Sequence, residues 1–232
     1  MNYQKYIVNS LSDLVFPGLL VLAMTISLNM VANSQTNQLR TFRAGLVAGA
    51  NASQMDGDGL AGYDKLGIST GLRVTVPFRE RMKWGIDLLY SQRGSQSKFT
   101  LDGDYPIAFI KLQYLEIPIS VSYMDWLSTD DNNRSYYKVY GAAGLSYGRL
   151  IRAKADSPFL VDEFDFILEN GTTNKNDISF LLEGGYYTNS NFAIAIRFTR
   201  SMIAMFNTDE SGLENNKLIG YFFTFKINYD FL

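Results

Sequence analysis

Between Lys217 and Phe231 the chain alternates in register: Ile219, Tyr221, Phe223, Phe225, Ile227, Tyr229 and Phe231 are separated by Gly220, Phe222, Thr224, Lys226, Asn228 and Asp230. Side chains on a β-strand point to opposite faces in turn, so this stretch predicts a strand with one wholly bulky, apolar face. The pattern recurs with Leu66, Ile68, Thr70, Leu72, Val74 and Val76, and with Trp84, Ile86, Leu88 and Tyr90. Leu115, Ile117, Ile119, Val121 and Tyr123 repeat it, as do Phe192, Ile194, Ile196 and Phe198. No sustained helical period follows Phe42, and eight strand-like runs can be drawn. They are Phe42 to Ser53, Lys65 to Pro77, Lys83 to Gln92, Tyr114 to Met124, Tyr136 to Leu150, Asp177 to Tyr187, Phe192 to Ser201 and Lys217 to Phe231. Each is close to the roughly 9 to 11 residues of a tilted membrane-spanning strand, or longer.

The connections alternate in length. Phe78 to Met82, Asp125 to Ser135 and Thr188 to Asn191 are short; Gln54 to Asp64, Arg93 to Gln113, Ile151 to Asn176 and Met202 to Asn216 are long. An even number of strands with short turns at one end and long loops at the other is the layout of an outer-membrane barrel, with both termini in the periplasm.

Alternation alone would suit a soluble, lipocalin-like ligand-binding barrel equally well. Content separates the two. A water-facing surface should be roughly 25–35% charged, whereas the polar face of each run holds mostly Gly, Ser, Thr and Ala. Such a face suits a narrow lumen, and a lumen of eight strands has little room for the Tyr, Phe, Trp, Ile and Leu of the opposite face. The bulky face is therefore expected in lipid, with aromatics near the run ends forming interfacial girdles. The expected fold is all-β: an eight-stranded antiparallel up-and-down transmembrane β-barrel behind an N-terminal signal peptide.

That signal peptide is read from Leu14 to Met30, an apolar run behind Lys5 and ahead of Val31-Ala32-Asn33-Ser34, where Ala32 and Ser34 suit cleavage. Residues 1–34 are assigned to it and 35–232 to the barrel. An uncleaved N-terminal helix is the alternative.

With no His and no Cys, the chain lacks the usual general base, the commonest metal ligands and every thiol mechanism. No catalytic residue, cofactor or metal is expected, and the lipid-modifying and proteolytic barrels that rely on His are excluded. A carboxylate-only hydrolase using Glu116 and Asp87 is the remaining catalytic option. A formal charge of -2 offers nothing to nucleic acid.

Seven charges are expected in the lumen, one on each run from the second to the eighth: Arg73, Asp87, Glu116, Lys138, Glu183, Arg197 and Lys226. Folding the short turns as hairpins places Arg73 opposite Asp87 and Glu183 opposite Arg197. The expectation is a salt-bridged plug that fixes register and closes the barrel; a small-solute pore is the alternative. Asp56-Gly57-Asp58-Gly59 and Asp102-Gly103-Asp104 look faintly like calcium loops, but the first has Gly67 where a closing Glu would stand, so plain turns are expected.

Arg43-Ala44-Gly45-Leu46-Val47-Ala48-Gly49-Ala50-Asn51 and Gly85-Ile86-Asp87-Leu88-Leu89-Tyr90-Ser91-Gln92-Arg93-Gly94 precede Tyr114-Leu115-Glu116-Ile117-Pro118-Ile119. Val139-Tyr140-Gly141-Ala142-Ala143-Gly144 and Arg197-Phe198-Thr199-Arg200-Ser201 follow. In this order, over essentially the whole mature chain, the segments resemble the PorT-like outer-membrane β-barrel family. The resemblance implies an outer-membrane barrel of a Gram-negative cell, with a link to protein secretion among some relatives and no catalytic residues. Leu232 after Phe231 departs from the terminal aromatic of the usual assembly signal. The expected partners are outer-membrane lipid, the barrel-assembly machinery during biogenesis, and a protein bound through the outer loops or periplasmic rim. Ile151 to Asn176, with Pro158-Phe159-Leu160-Val161, is the favoured loop.

Overall fold

The computed structural model describes residues 42–56, 62–96, 109–131, 133–156, 174–204, 206–207 and 217–231. The expected leader, most of both calcium-like stretches and Pro158 to Val161 lie outside them. The strands are β1 (Arg43–Asp56), β2 (Lys65–Arg79), β3 (Met82–Gln96), β4 (Phe109–Thr129) and β5 (Ser135–Asp156). They continue as β6 (Asn176–Tyr187), β7 (Phe192–Ser201), the two-residue β8 (Phe206–Asn207) and β9 (Lys217–Asp230). Each long strand pairs antiparallel with the next, and β9 returns to β1, from Gly45 opposite Asp230 to Asp56 opposite Ile219. β8 pairs with β9 alone. The ring thus closes with eight staves, and closure satisfies the backbone of what would otherwise be two open edges.

The apolar ribbons face outward. Leu72, Ile86, Ile119, Leu182, Ile196 and Phe225 are 44–58% exposed, whereas Arg73, Asp87, Ser120, Glu183, Arg197 and Lys226 are at most 6% exposed. A protein dissolved in water buries the first set; this arrangement is stable only where hydrocarbon surrounds the ring.

Several expected connections are partly strand. β4 and β5 run for 21 and 22 residues, so the stretch from Asp125 to Ser135 narrows to a tight turn after Thr129. Likewise Arg93 to Gln96 belongs to β3 and Phe109 to Gln113 to β4, paired from Arg93 opposite Leu112 to Gln96 opposite Phe109. From Arg93 to Gln96 and from Phe109 to Gln113 no large apolar side chain is among the exposed ones, so the alternation that marks the lipid-facing strands cannot reveal those extensions; at the short-turn end Trp126 and Leu127 are exposed, at 62% and 63%.

The outer part of β3 also leans inward. Its last pair with β2 is Ser91 opposite Ser69. Beyond it, Asn51 Nδ2 on β1 donates to Ser91 Oγ at 3.0 Å and to the Gln92 carbonyl at 2.8 Å, and the Gly94 amide donates to Ser53 Oγ at 3.0 Å. The crossing is close: a Cβ on Gly67 would run into the Gln92 carbonyl, so glycine is required there.

Candidate functional site

The lumen is the candidate site. Among the described residues its inward positions supply five buried cations, Arg73, Lys83, Arg93, Arg197 and Lys226, and five buried carboxylates, Asp87, Glu116, Asp177, Glu183 and Asp230. Charges removed from water are tolerable only when matched, and here they match in three tiers along the barrel axis.

The middle tier follows from strand register. Arg73 on β2 stands opposite Asp87 on β3, and Glu183 on β6 opposite Arg197 on β7. Arg73 donates from Nε to Asp87 Oδ1 at 2.8 Å and from Nη2 to Oδ2 at 3.2 Å. Arg197 bridges the lumen, donating from Nε to Glu183 Oε2 at 2.6 Å and from Nη2 to Asp87 Oδ2 at 2.8 Å. Lys226 Nζ on β9 lies 2.7 Å from Glu183 Oε2, and Tyr140 Oη on β5 donates to Glu183 Oε1 at 2.7 Å. The Tyr140 ring can reach inward because its cross-strand partner is Gly185; a Cβ at that position would collide with the ring. Two carboxylates thereby tie together side chains from six strands, with three cations around them.

At the long-loop end the bridging cation is Arg93. Its Nη2 lies 2.8 Å from Asp177 Oδ2 and 3.2 Å from Glu116 Oε1, and its guanidinium stacks 3.8 Å from the Tyr114 ring centroid. Ser179 Oγ donates to Asp177 Oδ2 at 2.9 Å. Above this tier Met55, Ile110, Leu112 and Tyr114 form an apolar cap, with Leu150 and Ala153 against it. The cavity beside Arg93, lined also by Ser53, Gly94 and Phe222, is about 20 Å³, room for a single water. At the short-turn end Lys83 Nζ donates to Tyr187 Oη at 2.7 Å, and Tyr187 Oη donates to Asp230 Oδ2 at 3.3 Å.

Of the seven charges expected in the lumen, Arg73, Asp87, Glu183, Arg197 and Lys226 come together in the middle tier. Glu116 is buried in the lumen but joins Arg93 instead. Lys138 does not join any tier, which corrects the expectation for it. The β4–β5 hairpin outruns its neighbours, since β3 begins at Met82 opposite Tyr123, so at the level of Lys138 the wall on that side has ended. Its Nζ instead lies 5.4 Å from the ring centroid of Trp126, a residue held at φ 63°. Sequence reasoning missed Lys83, Arg93, Asp177 and Asp230 as partners. Asp230 lay on the inward face of the final alternation, and Arg93 falls in phase with Asp87 at an even spacing of six.

Closed antiparallel pairing, a lipid-facing apolar belt and a charged interior define an outer-membrane-type β-barrel. The family model for the outer membrane protein beta-barrel domain matches residues 31–207, and the chain belongs to that family. The protein is accordingly one of the outer membrane.

Solved structures with a similar chain path include Ail, the attachment invasion locus protein of Yersinia pestis, in complex with the heparin analogue sucrose octasulfate. It is 15% identical with a TM-score of 0.43, covering 82% of this chain and 99% of that one. Neisserial surface protein A is 12% identical at a TM-score of 0.43, covering 82% and 97%. OprG of Pseudomonas aeruginosa is 16% identical at 0.36, covering 82% and 94%. The sequence has no match among curated proteins.

Proposed function

We propose that this protein is a closed outer-membrane barrel with a structural, accessory or macromolecule-binding role in the cell envelope. The observation that carries the reading is the middle tier, where Asp87 and Glu183 join cations from opposite walls at 2.6–2.8 Å. A solute crossing the lumen would have to part these ion pairs with no solvent to replace them, which costs several kcal/mol per exposed charge. The apolar cap of Met55, Ile110, Leu112 and Tyr114 is a second barrier, of different chemistry, at the long-loop end. The reading includes the finer kinship with PorT-like barrels and their link to secretion, supported by the motif order described above. It assigns no catalytic role, since every buried carboxylate of the middle and long-loop tiers has a cation or donor within reach and the chain has no His or Cys.

Contact with a protein partner then falls to the outer loops or to the short-turn rim, where the β4–β5 hairpin projects past its neighbours. Planar-bilayer recording of the purified full chain tests the closed lumen. No stable unitary current is expected; a steady open-pore conductance would replace this reading by that of a small-solute pore.

A further inference from the structure

The outward face of β5 carries a cationic strip that the lumen does not explain. In the β4–β5 pairing, Tyr114 faces Leu150 but Gln113 faces Arg152, so Ile151 is one residue too many. Such a bulge re-aims the side chains beyond it. Leu150 and Ala153 both pack on the inner apolar cap, while Arg149, Ile151, Arg152 and Lys154 are all exposed. Without the extra residue, Arg152 and Lys154 would fall on the lumen side.

Across the strand pair, Lys154 stands directly opposite Lys111, a like-charge pairing that is unfavourable by itself. Lys154 Nζ and Lys65 Nζ both lie over the Phe109 ring, at 5.8 and 5.2 Å, which gathers more positive charge at the same place. Among the described residues no carboxylate forms an ion pair with Lys111, Arg149, Arg152 or Lys154. Arg149 Nη1 donates to Asn176 Oδ1 at 2.6 Å, a neutral acceptor. Immediately toward the middle of the barrel, Leu115, Ile117 and Leu145 are 37–56% exposed and belong to the lipid-facing belt. The strip therefore begins where the hydrocarbon ends, at the long-loop rim, which the barrel layout places in the outer leaflet. From Arg149 to Lys154 it rises over about 17 Å, at roughly 3.3 Å per residue. That is too long for one phosphate and suits a headgroup that carries more than one.

We propose that Lys111, Arg149, Arg152 and Lys154 form a binding site for a phosphorylated glycolipid headgroup of the outer leaflet, with the acyl chains lying along Leu115, Ile117 and Leu145. The bulge at Ile151 is the device that builds the site. It places Arg152 and Lys154 on the same outer face as Arg149, two of them within reach of Lys111 across the pair. An anion relieves the mutual repulsion among these cations, as at basic segments that meet anionic lipid.

The test is native mass spectrometry of the full chain in detergent, titrated with bis-phosphorylated lipid A and, separately, with its phosphate-free form. R152Q/K154Q should weaken retention of the phosphorylated lipid on the order of 30-fold, with K111Q weakening it on the order of 5-fold. K138Q, at the opposite rim, should leave it unchanged, and the phosphate-free form should bind weakly to all variants. Heat-dependent gel mobility establishes that each variant is a folded barrel; because K111Q and R152Q/K154Q are independent changes, one that misfolds leaves the other as the test. The proposal is overturned by unchanged retention in the folded variants, by equal retention of the phosphate-free lipid, or by no retention in the unaltered protein. Full displacement by inorganic phosphate at matched ionic strength would also overturn it, since the site would then be one for a free anion.

Discussion

The middle and the long-loop end of the lumen are both closed, but by different means. In the middle, Arg73, Asp87, Glu183 and Arg197 meet because hairpin register sets them at the same height. At the long-loop end, Arg93 meets Glu116 and Asp177 because β3 runs on past its expected end and leans onto β1 through Asn51 and Ser53. The first seal follows from strand pairing and is electrostatic. The second needs a departure from ideal geometry, and it adds an apolar cap to the ion pairs. A barrel too narrow to stay wet can thus be filled by register alone where the wall is regular, and by bending the wall where it is not.

Removing one member of the middle tier should give the largest effect. Glu183→Ala leaves Arg73, Arg197 and Lys226 around Asp87 alone, and a loss of about 3–5 kcal/mol is expected from urea unfolding in lipid vesicles. Replacing Glu183 and Arg197 together by leucine should cost less than the sum of the single changes, a coupling that a double-mutant cycle measures directly. At the long-loop end Arg93→Ala should cost about 3 kcal/mol, the low end of the same range, because losing the side chain enlarges the adjoining cavity enough for water to solvate the two carboxylates left behind. Should Arg93→Ala prove the costlier change, the ranking of the two seals is reversed.

The lean of β3 is probed at Gly67. Adding one methyl group there drives it into the Gln92 carbonyl, and Gly67→Ala should destabilise by about 1–3 kcal/mol while leaving the middle tier intact. Lys138→Gln should be the mildest, within about 0.5 kcal/mol, since its ammonium sits at the rim over Trp126 rather than in a tier.

These differences match what could be read from the residues alone. The ring of eight strands, the outward direction of the bulky face and the pairing of Arg73 with Asp87 all follow from a period of two and from short turns. Those signals are local, and each is repeated on several strands. Arg93 was hidden because the outer ends of β3 and β4 rise above the hydrocarbon, where no apolar face marks the strand. Lys138 was misplaced because alternation fixes which way a side chain points but not where the wall stops. Arg152 and Lys154 depend on one extra residue at Ile151, and a bulge shifts phase without leaving a compositional trace.

Underneath all of this lies the sidedness of the strands, and the absence of Cys makes it directly measurable. Single cysteines at Thr224, Phe225, Ile227 and Asn228, each carrying a nitroxide in lipid vesicles, report solvent strand position by strand position. Labels at Phe225 and Ile227 should be reached by oxygen dissolved in the bilayer and not by a water-soluble nickel chelate, while those at Thr224 and Asn228 should be shielded from both. Ready access of the nickel chelate to Phe225 and Ile227 would mean that water, not lipid, bathes the apolar face, and the membrane barrel would have to be abandoned.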